Sequence, residues 1–374
     1  MQRDMHFYAT YVLARMSGMG VKIARRVADA SEYVDEAVRR DPAIHPRGVR
    51  VLPEVTAHHL VSVENLDPDD QRKVWVVFHF FPGGAGRTTL ERLVCRPMAR
   101  PLGKLVEHYI QAMSGQEFFP ELVGIAAHVI MDSFSHAGFS GVASPLNRVK
   151  QGSLEYQPIC VRPGDKPVAE RGLRTSVERF FGRFGQGITD VMDELKEEIA
   201  AVVGEAASNA LGHAGAATLP DRGYVRWRCE YEVGERVLGR ENPRVFWRAC
   251  QELYGFFTKA LGAAPWMGEG AQPLELDERA AVIKRLIRTC GEEQERCRAW
   301  REAIKAGILH PLAGDERAPV HSFRKLEKPL DSLPDMPDPR EIRRRFIYRF
   351  YQAASYHRHY ALRRLLPSWG IVVA

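Results

Sequence analysis

Three side chains able to bind a metal ion recur four residues apart in the segment His128-Val-Ile-Met-Asp132-Ser-Phe-Ser-His136. The stretch around them, from Pro120 to Phe139, opens on proline, carries apolar residues at intervals of three and four, and has Gly138 just after the last candidate. It predicts a buried helix. Each residue turns by ~100°, so groups spaced by four and eight stay within roughly 80° of one another and project into one space. His128 and His136 stand about 12 Å apart along the axis, which is awkward for joint capture of one ion. Asp132 lies midway and has two oxygens, so the expected arrangement is a bridging carboxylate. One metal is shared by His128 and Asp132, another by Asp132 and His136. Two ions about 3.5–4 Å apart suit in-line displacement at phosphorus, because they hold both the attacking and the leaving oxygen. Three core polar groups merely hydrogen-bonded to their surroundings are the plainer alternative. Burying them unpaired costs too much on an otherwise apolar helix.

Two ions need more than three protein ligands, so other His and Asp residues must converge. His6 follows Asp4-Met5, Asp35 follows Glu32-Tyr33-Val34, and His79 is embedded in the apolar run Trp75–Phe81. His58 and His59 are adjacent; in an extended segment only one points inward, and His58 is taken. His213 stands in Gly212-His213-Ala-Gly, and Asp221 follows Pro220. Neutral imidazole and carboxylate are ligands that zinc accepts, and a catalytic site leaves a position open for water. Asp4 is expected to orient His6 or to act as a general base. His357 and His359, flanked by arginines and aromatics, read as surface or phosphate-contact residues.

These residues must be positioned mainly by helices. Helical spacing covers Met5–Met16, Val21–Val38, Leu90–Met113, Glu121–His136, Val168–Phe184, Thr189–Ala206, Val245–Leu261, Glu278–Ala306 and Arg340–Leu366. Trp75–Phe81 reads as a strand or extended segment ended by Pro82-Gly83-Gly84, and Ser140–Lys166 and Ala313–Pro339 read as loops. The expected fold is a mainly α, multi-helix bundle around a buried metal site. The link Gly262–Pro273 suggests a division into a metal-binding helical domain, 1–262, and a C-terminal helical extension with a basic last helix, 263–374.

The 374 residues are 45% hydrophobic and 27% charged, ordinary values for a globular protein that can bury a substantial core. No run of about 18 apolar residues is present, so no transmembrane helix is expected. The start, Met-Gln-Arg-Asp-Met-His, lacks a basic segment followed by an apolar one, as a secretory leader requires. The six cysteines lack zinc-ribbon spacing and read as reduced thiols in a cytoplasmic protein, with Cys290 and Cys297 on one helix face. A net charge of +6 permits an anionic partner. Residues 335–374 carry eight Arg against three acids, including Arg343-Arg344-Arg345, interleaved with Phe346, Tyr348, Phe350, Tyr351, Tyr356 and Tyr360. Bases stack on such rings, although at helical spacing the rings also suit a core. H-E-x-x-H, G-x-S-x-G and Walker motifs are absent, as is an adjacent His-Asp pair.

The series His6, Asp35, His58, His128-x3-Asp132, His136 resembles the zinc-dependent phospholipase C and P1 nuclease superfamily, helical enzymes that bind three zinc ions. The resemblance implies that Asp132 bridges two metals. Those enzymes also use an N-terminal tryptophan amine as a ligand and a later His-x3-Glu pair; here the chain starts with Met, and Ala217 stands four residues after His213. The chain also looks like an uncharacterised bacterial helical family marked by Asp4-Met-His6-Phe-Tyr8, Tyr33-Val-Asp35, Phe78-His-Phe-Phe-Pro82 and the His128–Phe139 helix. That likeness spans about the first 250 residues and implies no activity. The expected function is a metal-dependent phosphoesterase holding two or three zinc ions, a nuclease or phosphodiesterase acting on a nucleic acid, nucleotide or other phosphate-containing substrate. The competing expectations are a non-catalytic, metal-stabilised binding protein with a basic face, and a hydrolase of amides or carboxylic esters.

Overall fold

From the amino end, a π-helical turn, Asp4–Ala9, runs on as Thr10–Met16; together they form α1. Next come α2 (Val21–Glu36), a small hairpin of β1 (Ala43–Ile44) and β2 (Arg50–Val51), and a π-helical α3 (Gln71–His79). Helices α4 (Thr89–Leu93), α5 (Arg100–Met113) and α6 (Phe119–Ser135) follow. An antiparallel sheet joins β3 (Glu155–Pro158), β4 (Val225–Glu230) and β5 (Val237–Glu241) in that order. The rest is helical: α7 (Asn242–Ala263), α8 (Ala280–Ile287), α9 (Glu293–Lys305), α10 (Phe323–Asp331) and α11 (Phe346–Tyr360). This computed structural model describes residues 1–58, 63–160, 211–268, 270–312, 314 and 316–372. The expected helices Val168–Phe184 and Thr189–Ala206, and His59, lie outside the described residues. The protein is mainly α.

Every residue of α6 is buried, as a helix that is apolar all round requires. It packs on α2, α3, α7 and α11. Its contact with α2 is close because residue 124 is glycine: a Cβ there would lie 2.4 Å from the Val27 carbonyl oxygen and 2.6 Å from the Ala30 Cβ. The main core cluster draws on residues from Met1 to Ile371, on both sides of the link at 262–273. Among the described residues no helix is long and apolar enough to cross a membrane.

Several elements differ from the expectation. Trp75–Phe81 is not extended: Gln71–His79 is π-helical, and its apolar run reflects burial on nearly all sides. The expected helix Leu90–Met113 is interrupted between Leu93 and Arg100, where Pro97 and Met98 at φ 41° break it. Glu278–Ala306 is likewise split, by Gly291 at φ 103°. Helix α10 lies within the expected loop Ala313–Pro339. The β4 strand was not expected; in it Val225, Trp227 and Cys229 are buried while Arg226 and Arg228 point out. The cysteines also need correction. Cys160 and Cys290 form a disulfide, so not all six are reduced, and Cys290 precedes α9 rather than sharing a helix face with Cys297. Disulfides persist in oxidising compartments, which removes the cysteine argument for a cytoplasmic location. The aromatics of α11 serve the core: Phe350 and Tyr351 are buried, and Phe346 and Phe350 pack on Tyr33.

Candidate metal centre

Helix α6 presents His128 and Asp132 one turn apart, with His128 Nε2 3.1 Å from Asp132 Oδ2. His136 caps the helix. Two further histidines come from π-helical segments, His6 from the first turn of α1 and His79 from the end of α3. Such segments are uncommon and recur at functional sites. Asp35 comes from the last turn of α2, while His213 and Asp221 flank the short 3₁₀ turns that precede β4. Asn242 supports Asp221 by donating from its side-chain amide to the carbonyls of Leu219 and Arg222.

Three groups of side chains bring ligand atoms within 4.8 Å of one another: His6, Asp35 and His128; His79, His128 and Asp132; and His136, His213 and Asp221. His6 Nε2 lies 3.1 Å from Asp132 Oδ1, and His79 Nδ1 lies 3.5 Å from Asp132 Oδ2. His136 Nε2 and His213 Nε2 lie 3.1 Å and 3.2 Å from the two oxygens of Asp221. The expectation that His136 shares an ion with Asp132 is therefore adjusted, since its inward nitrogen faces Asp221. The Met1 amino nitrogen is buried between the groups, 2.5 Å from Asp132 Oδ1 and 3.3 Å from Asp221 Oδ1. Residues 2–4 are anchored by Arg3 to Glu32 and by Arg296 to Gln2 and Asp4.

The outward sides of the rings are committed. His128 Nδ1 donates to the Ser31 carbonyl, His79 Nε2 to Thr56, His136 Nδ1 to His79 and His213 Nδ1 to Ala217, each at 2.8 Å. A neutral imidazole carries one N–H. In the neutral form, with that proton spent outside, the inward nitrogen of a ring is a lone pair. His128 Nε2 and His79 Nδ1 then face each other at 3.2 Å, lone pair to lone pair. Both nitrogens of His6 are buried without a hydrogen-bond partner, and its ring stacks on His128 at 3.9 Å. Lone pairs and carboxylates converging in a buried space are the complement of a cation. Outer N–H groups donating to carbonyls are the support that metal-binding histidines receive.

Charge follows the same plan at His6, His128 and His136 and departs from it at His213. Burial pushes His128 down to about 4 against the pull of Asp132, and burial, His128 and the Met1 ammonium hold His6 well below its ordinary value. Burial lowers His136 too, although Asp132 and Asp221 oppose it. Burial also opposes ionisation of Asp132, but His136, the Met1 ammonium and His128 outweigh it and keep this carboxyl well below the usual range. Asp221 is held down in the same way by the Met1 ammonium, His213 and His136. Against its own burial, Asp221 raises His213. Asp35 is pushed up by its deep seat and by Asp132 and Glu32. Its side chain is nevertheless 37% exposed, so water moderates that push.

Of the expected residues, His6, Asp35, His79, His128, Asp132, His136, His213 and Asp221 come together. His58 does not join the three groups: its Nε2 lies 3.5 Å from Asp70 Oδ2, against Trp75. Asp4 neither orients His6 nor stands free as a base, because Arg296 Nε lies 3.3 Å from its Oδ2. His357 is no surface group; it is buried between the Tyr109 hydroxyl and the Val77 carbonyl, whereas His359 is exposed. The carbonyls that set the tautomers had no signal in the sequence, since any residue type supplies one.

The fold and this cluster define a mainly α protein with a buried histidine–carboxylate centre. The chain belongs to a family of unknown function, DUF6765, whose profile matches residues 1–365. No curated protein and no solved structure matches it.

Proposed function

We propose that the cluster is a divalent-metal centre, zinc by its donor set, and that the protein is a metal-dependent hydrolase of phosphoric esters, a nuclease or phosphodiesterase. The observation that carries this reading is the commitment of four outer N–H groups to main-chain carbonyls, which leaves their inner lone pairs aimed at Asp132 and Asp221. His79, His128 and Asp132 would hold one cation, with His6 and Asp35 beside it, and His136, His213 and Asp221 another. When bound, such a cation polarises a phosphoryl oxygen and makes water acidic enough to attack near neutral pH. The protein's own part is to hold these groups in place, with His6, His128 and Asp132 at most 1% exposed. Asp35 stands at the rim, where an incoming substrate meets it first. Phosphorus rather than an amide carbonyl is preferred because two neighbouring cation sets suit in-line displacement.

Protein purified without chelator should contain two or more equivalents of transition metal by inductively coupled plasma mass spectrometry, and less than one equivalent overturns the reading. Turnover of bis(p-nitrophenyl) phosphate should be lost in Asp132→Asn with the circular dichroism spectrum unchanged. The deep burial of His6, His128 and Asp132 favours a second reading, a closed site that only stabilises the fold. Full metal content with no turnover of phosphate esters selects it.

A further inference from the structure

A second charged feature lies on the face built by β4, the start of α7 and α8. Two adjoining hollows share Arg226, Glu241 and Arg244. Among the described residues, they are lined between them by seven cationic side chains and two carboxylates, Glu155 and Glu241. Glu241 is already taken by Arg226 and by Arg244. Arg248 and Lys284 are exposed and, among the described residues, have no carboxylate within ion-pair distance. The second hollow, about 520 Å³, also has an apolar wall of Ile159, Pro243 and Trp247, with the Lys284 ammonium 4.6 Å from the centre of the Trp247 ring. That size suits one small ligand. Unneutralised cations from two helices beside an aromatic wall call for an anion of several charges that carries a flat ring.

We propose that this hollow binds a small polyphosphate bearing an aromatic group, a nucleoside diphosphate or a chemical relative. Arg248 and Lys284 take the phosphates, Arg226 and Arg244 turn from Glu241 to share them, and Trp247 contacts the ring. Guanidinium forks match phosphate oxygens in pairs, which favours phosphate over an isolated carboxylate. Arg240, which lines the adjoining hollow rather than this one, donates to the carbonyls of Phe134, Ser135 and Ala137 at the end of α6, the helix that carries Asp132. The site does not depend on the proposed hydrolase activity.

The probes are ADP and inorganic tripolyphosphate, added to the protein as purified and followed by calorimetry and by tryptophan fluorescence. Saturable ADP binding is expected, weakened at least about tenfold in Arg248→Glu/Lys284→Glu and retained in Asp132→Asn, with a fluorescence change that disappears in Trp247→Phe. Tripolyphosphate should bind more weakly than ADP, since it lacks the ring. Binding lost in Asp132→Asn but kept in Arg248→Glu/Lys284→Glu belongs to the metal cluster and overturns the proposal, as does absence of ADP binding at millimolar concentration. Metal content should be equal in Arg248→Glu/Lys284→Glu and the parent, which separates this test from that of the metal centre.

Discussion

At the scale of single residues, the cluster is governed by which ring nitrogen keeps its proton. His128 is buried, its Nδ1–H is spent on the Ser31 carbonyl, and its Nε2 faces Asp132. His128→Ala removes a donor from a buried carbonyl, a change costing about 1–3 kcal/mol. Urea unfolding should show that loss, and metal analysis a fall in bound metal. Asp221 tests the division of the centre. It is the only carboxylate in the group with His136 and His213 among the described residues. Asp221→Asn should lose about one equivalent of metal and retain the rest; loss of all of it, or of none, contradicts two separate cation sets.

Elements decide whether those residues meet. Helices α2 and α6 carry Asp35, His128 and Asp132, and Gly124 lets their backbones approach. Gly124→Ala would set a methyl group 2.4 Å from the Val27 carbonyl oxygen. The helices must separate, at a typical overpacking cost of about 1–3 kcal/mol. Chemical denaturation should register that cost. Metal affinity should fall with it, although no ligand has changed. An unaltered affinity would mean that this helix contact does not set the spacing of the cluster.

Across the whole molecule, His321 ties the C-terminal part to α2. Its Nδ1 lies 3.0 Å from Asp29 and its Nε2 2.6 Å from Glu36. Although burial opposes the charge, these two carboxylates raise His321 from 6.5 to about 9. The stabilisation from this raised value is whole below about pH 6.5 and is lost as the pH climbs through about 9. Its size is of the order of 3 kcal/mol. Thermal unfolding between pH 6 and 10 should show a decline that is absent in His321→Asn; parallel curves would refute the link. Metal removal acts on the same scale. A ligand present at 100 times its dissociation constant stabilises the folded state by about 2.7 kcal/mol, so chelation should lower the melting temperature by several degrees and added zinc should restore it.

The helix over Phe119–Ser135 and its His128–Asp132 stripe were legible in the sequence, because burial on every side leaves an unbroken apolar run in which polar residues stand out. His6, Asp35 and His79 were candidates by type, and their convergence followed from no spacing in the chain. Local pattern failed at Trp75–Phe81, where a run buried all round looks the same as strand or helix. It failed also at His58 and Asp4, whose partners Asp70 and Arg296 arrive from other elements. Sequence by itself determined the helical class and the central His128–Asp132 pair, since both depend on periodicity within one segment. Only the tertiary structure decided the grouping of the histidines and carboxylates, the carbonyls that orient the rings and the basic hollow at β4, α7 and α8, because each depends on distances between segments far apart in the chain.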